Sequence, residues 1–300
     1  MRRKILFTSL GFALVFTAFG QIKKQFTVED APSCDNIKLT LRANSGNCFI
    51  KPSSETDILN VFSNQNESAF SHNFRKEIKG RTCDVLLNLE ETHSEGISRT
   101  ISTRFFSNNS EKPASEKVWK MYLTEAKPYS LELNYGIGNA HIDLSGLAIK
   151  KLKINTASAD VIVGYFSVLQ NQVEMDTLNV RVEVGSVNVK NLNLSRTRNV
   201  VADVGFGSMV LDFTHKPLVG SKIKGSVGAG NLIILLPAND VPVLVKIEDS
   251  WLCSVKMPAN LKKVSENTFA NSAYSKDAKN PLIFDLDVSL GNIIFKDQGK

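Results

Sequence analysis

The chain has 300 residues, of which 42% are hydrophobic and 22% charged, with 9 Pro and 18 Gly. That balance excludes long disorder, collagen-like and low-complexity chains, and leaves only one apolar run, at the N-terminus, to weigh as a membrane segment. The formal net charge is +6; removing Arg2, Arg3 and Lys4 with a leader leaves 33 basic against 30 acidic residues, a net of +3, too weak and too scattered for a nucleic-acid footprint.

In chain order, the first predicted element is that leader. Met1-Arg2-Arg3-Lys4 precedes an uncharged run from Ile5 to Phe19, and Ala18-Phe19-Gly20 places small residues at the cleavage positions. A basic start, a short apolar stretch and such a site predict a secretory signal peptide over residues 1–20, with a mature start near Gln21. The run is shorter than the roughly 20 residues that span a bilayer. Export, to the periplasm, the cell surface or the medium, puts Cys34, Cys48, Cys83 and Cys253 where disulfides form. No CxxC is present and the four His are dispersed, so no metal site is expected. Cys34–Cys48, which closes the shortest loop, is the first candidate bridge, although spacing alone leaves all three connectivities open.

Residues 21–115 read as an irregular β-rich region with strands at Ile37–Leu41, Phe49–Ile50, Ile58–Phe62 and Val85–Leu89. Polar stretches at 64–71 and 107–115 read as loops, the second marking a boundary before a domain over 116–300.

From there one short pattern recurs: a Gly, a small polar residue, then alternating apolar positions. It stands at Gly138-Asn139, Gly185-Ser186, Gly207-Ser208, Gly230-Asn231 and Gly291-Asn292, with Ala159-Asp160 and Cys253-Ser254 as variants and Gly46-Asn47 as an upstream copy. The steps from Gly138 are 21, 26, 22, 23 and 23 residues, then 38 to the last copy. Spacing of that kind predicts an all-β solenoid with coils of about 22 residues, each stacked on its neighbour in the sequence. Gly46, Gly138, Gly185, Gly207, Gly230 and Gly291 are the expected corners, supplying positive φ without a Cβ penalty. Asn139, Asn231 and Asn292 are expected to form a polar ladder up that corner. Because Gly46-Asn47 carries the same signature, residues 21–115 could form an earlier part of the same stack. The polar end Lys296–Lys300 is the expected cover for one open end of the stack.

No nucleophile elbow, phosphate loop, zinc-protease or calcium-loop motif is present, and Gly136-Ile137-Gly138 lacks a dinucleotide-binding context. Neither catalytic, cofactor-binding nor metal-binding residues are expected, and no cofactor. The one enzymatic alternative is carbohydrate chemistry at Asp143 and Asp212, which share a register in their copies. His141 and Lys190 read as outward and solvated. Trp119, Trp251, Tyr122, Tyr135 and Tyr165 read as packing elements that could otherwise stack on sugars.

Residues 118–300 resemble the "toast-rack" or putative-adhesin β-domains of bacterial envelope proteins, related to the C-terminal domain of LiaF-like stress-response proteins. The likeness is carried by Leu131-Glu132-Leu133-Asn134-Tyr135-Gly136-Ile137-Gly138 running into Ile142–Leu147, by Leu152–Asp160, and by Tyr274–Asn280 followed by Phe284–Phe295. Gly would be usual at Ala157-Ser158 and at Cys253. The resemblance implies a right-handed β-helix-like stack, exported, without established catalytic residues. The reading that follows is a non-catalytic binding, adhesin-like or scaffold module of the cell envelope, with an envelope protein or a glycan as partner. An envelope-stress sensor acting through a membrane partner is the other alternative.

Overall fold

The computed structural model describes residues 22–65, 71–90, 117–249 and 251–297; the expected leader and the boundary near 115 lie outside them. The strands are β1 (Lys23–Val28), β2 (Asn36–Ser53), β3 (Leu59–Ser63), β4 (Ser71–Lys79), β5 (Thr82–Glu90), β6 (Val118–Thr124), β7 (Tyr129–Asp143), β8 (Ile149–Gly164), β9 (Met175–Val182) and β10 (Ser186–Lys190). After the 3-10 turn Leu192–Ser195 come β11 (Thr197–Val204), β12 (Ser208–Asp212), β13 (Ser221–Val227), β14 (Asn231–Leu235), β15 (Val243–Asp249), β16 (Ser254–Lys256), β17 (Lys262–Ser265), β18 (Thr268–Ala270), β19 (Leu282–Val288) and β20 (Asn292–Lys296). No α-helix occurs among the described residues, and none is long and apolar enough to cross a membrane.

Alternation makes these segments strands. In β11, Val200, Ala202 and Val204 are buried and the residues between them face outward; β13, β14 and β19 repeat the pattern. Each coil has two limbs. Its first limb ends at a corner, and its second limb begins there. β2, β7 and β8 run through the corner unbroken, whereas β9–β10, β11–β12, β13–β14, β19–β20 and β15–β16 divide there. Corresponding limbs pair in parallel with their neighbours. The inner faces of the two limbs share one core: Phe284 of the first limb meets Phe213 and Phe295 of the second edge-on, at 5.7 and 5.5 Å.

The order of coils in space departs from their order in the chain at both ends. β7, β8, β9–β10, β11–β12 and β13–β14 are stacked sequentially, as the constant spacing predicts. The next coil in space, however, is β19–β20, which pairs with β13–β14 on one side and β15–β16 on the other. The 38-residue step has its cause here. The chain passes the inner position with β15–β16, turns back through the antiparallel β17–β18 pair, and returns to fill the gap. At the other end, β2 lies between β7 and the coil formed by β5 and β6. The expectation that each coil rests on its sequence neighbour is therefore corrected at both ends.

A parallel coil at the end of a stack presents a row of unpaired backbone groups. Antiparallel strands lie at three of the four limb ends, β18 and β17 beyond β15, β4 beyond β5, and β3 with β1 beyond β6, and at the fourth the three-residue β16 is itself the last strand among the described residues. Lys296, the first residue of the polar C-terminal tail, lies in β20, inside the stack between β14 and β16; the end of that tail, residues 298–300, lies outside the described residues.

The disulfide joins Cys34 to Cys83, with Cα atoms 5.6 Å apart; Cys48 is a buried free thiol and Cys253 a half-buried one. This corrects the Cys34–Cys48 expectation. Cys34 precedes the first limb of β2, whose Ile37 lies directly opposite Cys83 of β5, whereas Cys48 belongs to the second limb, opposite Trp119 and Ala140. Loop length misleads because closure entropy grows only with the logarithm of length.

Two buried asparagines tie the returns between coils. Asn171, wholly buried, accepts from the Ile149 N–H at 2.7 Å and donates to the carbonyls of Ile149 and Val173, both at 2.7 Å, and of Ser195 at 3.2 Å. Asn271 repeats the arrangement with Val243 N–H at 3.0 Å and Val241 carbonyl at 2.7 Å. Asn171→Ala leaves several buried backbone groups unpaired, and chemical denaturation should show a loss of about 3 kcal/mol.

Candidate binding groove

The corner is built by close backbone approach. A Cβ on Gly138, which has φ +122°, would lie 2.2 Å from the Gly46 carbonyl oxygen; one on Gly230 would lie 2.2 Å from that of Gly207. Positive φ at the six expected corners is confined to Gly46, Gly138 and Gly185. At Gly207, Gly230 and Gly291 the demand is for room rather than for a left-handed backbone, which corrects the uniform role expected of them.

The residues after the corner are in register through eight coils: Asn47, Asn139, Asp160, Ser186, Ser208, Asn231, Asn292 and Ser254. Asn139 donates to Asn47 at 3.0 Å, Ser186 to Asp160 at 2.6 Å and Asn292 to Asn231 at 2.7 Å. These bonds run from coil to coil and use the side chains on one another.

Four residues before the corner a second polar row runs up the first limb. Arg42, Asn134, Asn155 and Arg181 lie side by side on successive coils. With Asn44, Tyr135, Gly136, Thr156, Ala157 and Glu183 they line an open groove of about 500 Å³. Gly136 lets the adjoining coil approach closely here: a Cβ there would lie 2.3 Å from the Asn44 carbonyl oxygen. Asn155 donates to Asn134 at 2.7 Å, forming an amide bridge in the middle of the row. Arg181 is held by Glu183 at 2.7 Å and lies 3.7 Å from Asp203; the Glu183 carboxylate raises its guanidinium above the usual range. Among the described residues Arg42 has no ion pair. Tyr135 is committed below, its hydroxyl donating to backbone carbonyls of Gly46 and Asn139, and burial pushes its pKa upward. The groove thus presents guanidinium groups toward both ends and amides between, with Arg42 and Arg181 three coil steps, or about 14 Å, apart.

This row was absent from the sequence expectations, although a signal exists. Arg42, Asn134, Asn155, Arg181, Asp203, Ser226 and Asp287 each stand four residues before their corner residue. Aligning the copies on the corner brings the row into view.

The residues singled out for carbohydrate chemistry are kept apart. Asp143 and Asp212 occupy equivalent positions on β7 and β12, three coil steps apart, hence about 14 Å. Paired glycosidase carboxylates need about 5–9.5 Å. Each instead caps its own turn: Asp143 accepts from the Ser145 N–H at 2.9 Å, and Asp212 from the Thr214 N–H at 3.0 Å and hydroxyl at 2.7 Å. Trp119 and Tyr165 are buried, and Tyr122 packs edge-on against Phe62 at 5.6 Å, whereas Trp251 is 90% exposed. His141 faces outward as expected but is half-buried against Phe166, with ring centroids 4.5 Å apart. No group of three potential metal ligands exists among the described residues.

Residues 18–165 match the family model described as the N-terminal domain of toast_rack, DUF2154. This half of the chain is a toast-rack domain. Its match takes in β2, β7 and β8, the three strands that run unbroken through the corner, and three of the four groove rungs. The sequence likeness covers residues 118–300, so the two overlap over 118–165. Three solved structures are similar to the chain. The first is a putative cell adhesion protein from Clostridium sporogenes, 18% identical, covering 93% of this chain and 100% of that one, with a TM-score of 0.44. The second is a putative adhesin from Bacteroides fragilis, 15% identical, covering 92% and 97%, with a TM-score of 0.35. The third is a putative lipid binding protein from Parabacteroides distasonis, 14% identical, covering 92% and 93%, with a TM-score of 0.36. No curated protein matches the chain.

Proposed function

We propose that this toast-rack chain is an exported, non-catalytic binding module of the bacterial cell envelope, and that its groove takes an anionic, hydroxyl-rich polymer such as an acidic glycan. The observation that carries this reading is the row Arg42–Asn134–Asn155–Arg181 lining one open groove. Guanidinium groups grip carboxylate or phosphate through paired N–H donors, and amides complement hydroxyls. A groove open along the stack suits an extended chain better than a compact metabolite. The basic start and uncharged apolar run of residues 1–19, read as a leader, and the Cys34–Cys83 bridge are the features that support export.

Titration calorimetry of the mature protein with an acidic polysaccharide and a neutral one tests it. The acidic polymer should bind and weaken as salt rises, and Arg42→Ala and Arg181→Ala should each reduce affinity about tenfold. Equal binding of both polymers, or two arginine variants that bind like the parent, would rule the groove out.

A further inference from the structure

We propose that the chain associates with a second copy of itself by antiparallel pairing of β4 with β4. Among the described residues the stack has four outer strands, and three of them are poor templates. β17 is four residues long, carries Lys262 and Lys263, and slips register. β1 opens on Lys23 and Lys24 and is interrupted by a bulge. β16 has three residues. Short length, lysines and bulges are the ordinary means of blunting a sheet edge. β4 carries Lys76 and Lys79 too, but it differs in length and regularity: it is nine residues long, keeps unbroken register with β5, and has no strand on its other side among the described residues.

Its side chains are also unfinished as a core. Phe74 and Ile78 stand opposite Leu87 and Cys83, which are wholly buried, and so share their inward face. Yet Phe74 is 40% and Ile78 50% exposed. One more strand beyond β4 would cover both.

The strand is self-complementary. Lys79 and Thr82 flank a two-residue turn at Gly80-Arg81, so they form the hydrogen-bonded pair that closes it. The backbone groups of Ile78, Lys76 and Phe74 therefore point to the free edge. Pairing two copies about Lys76 sets these groups against one another. In that register Phe74 faces the second copy's Ile78, and Arg75 faces the second copy's Glu77, each twice by symmetry. Lys76 meets its own counterpart, but its ammonium is drawn aside to the Glu29 carbonyl at 2.7 Å. Shifting the register by two residues in either direction loses both complementary pairs.

Sedimentation velocity on the mature chain, with its disulfide intact, decides the matter. A concentration-dependent dimer is expected. Arg75→Glu and Glu77→Arg each place two like-charged pairs across the interface and should weaken it about tenfold, whereas an equimolar mixture of the two variants should regain the parent affinity. Lys76→Pro removes an N–H that serves only the free edge, so it should abolish the dimer while circular dichroism stays that of the parent. A parent that is monomeric at every soluble concentration overturns the proposal. So does a dimer indifferent to the charge changes, or a mixture no tighter than its components.

Discussion

Gly138→Ala is expected to cost the protein about 4 kcal/mol or more, a large part of the roughly 5–15 kcal/mol that keeps a domain folded. Two penalties coincide at that residue. Its φ of +122° is one that side chains resist, and its missing Cβ leaves room for the Gly46 carbonyl oxygen, which would otherwise be 2.2 Å away. That oxygen belongs to backbone of the adjoining coil, so relief requires the coils to part. Gly80→Ala is the matched comparison. Gly80 has φ +61°, but nothing lies within 4 Å of a Cβ there, and the expected loss is about 1 kcal/mol. Urea denaturation of the two variants followed by circular dichroism separates strain alone from strain with collision. Equal losses would mean that the coils part at the corner without cost.

Reduction of Cys34–Cys83 should produce the second large effect. The bridge spans 49 residues, and closing such a loop restricts the unfolded chain by about 4 kcal/mol. A thermal midpoint lower by roughly 10 °C in reductant is expected. The loss should fall on the end of the stack, because Cys83 is in β5 and β5 holds both β2 and β4. Alkylation of the native oxidised protein should label Cys253 and spare Cys48, whose thiol burial pushes up to about 12. The same raised value has a consequence for stability. Unfolded Cys48 loses its proton near its ordinary value of 9.0 while the folded thiol keeps it, so stability from this group is full below pH 9 and falls between pH 9 and about 12. A midpoint unchanged by reductant would contradict the structural role assigned to the bridge.

The coils were legible in the sequence wherever chain neighbours are also spatial neighbours. Gly138, Ala159, Gly185, Gly207 and Gly230 mark successive turns, and their spacing is the length of chain needed to go round once. Asn139, Asn231 and Asn292 were legible as a ladder because the residue after a tight corner has little choice of direction. The exchange at the C-terminal end was not legible. Cys253 follows Gly230 at the ordinary spacing, and nothing in its local pattern says that Gly291 will come between them. That order is a property of the assembled stack. Cys34–Cys83 was hidden for a related reason: β2 and β5 are neighbours only because the chain returns past β2 to lay down β5 and β6. The groove lay between these cases, since its residues share an offset from the corner, yet a row of Arg and Asn has no catalytic spacing to attract notice.

Engineered cysteine bridges test the exchanged order of coils most directly. In a Cys253→Ser background, Asn231→Cys with Asn292→Cys places two thiols on adjacent coils, within disulfide reach, whereas Asn231→Cys with Ser254→Cys places them two coils apart, about 9.6 Å, and beyond it. Mild oxidation should bridge residues 231 and 292 and leave 231 and 254 apart. A bridge between 231 and 254, with none between 231 and 292, would mean that the coils follow chain order to the end.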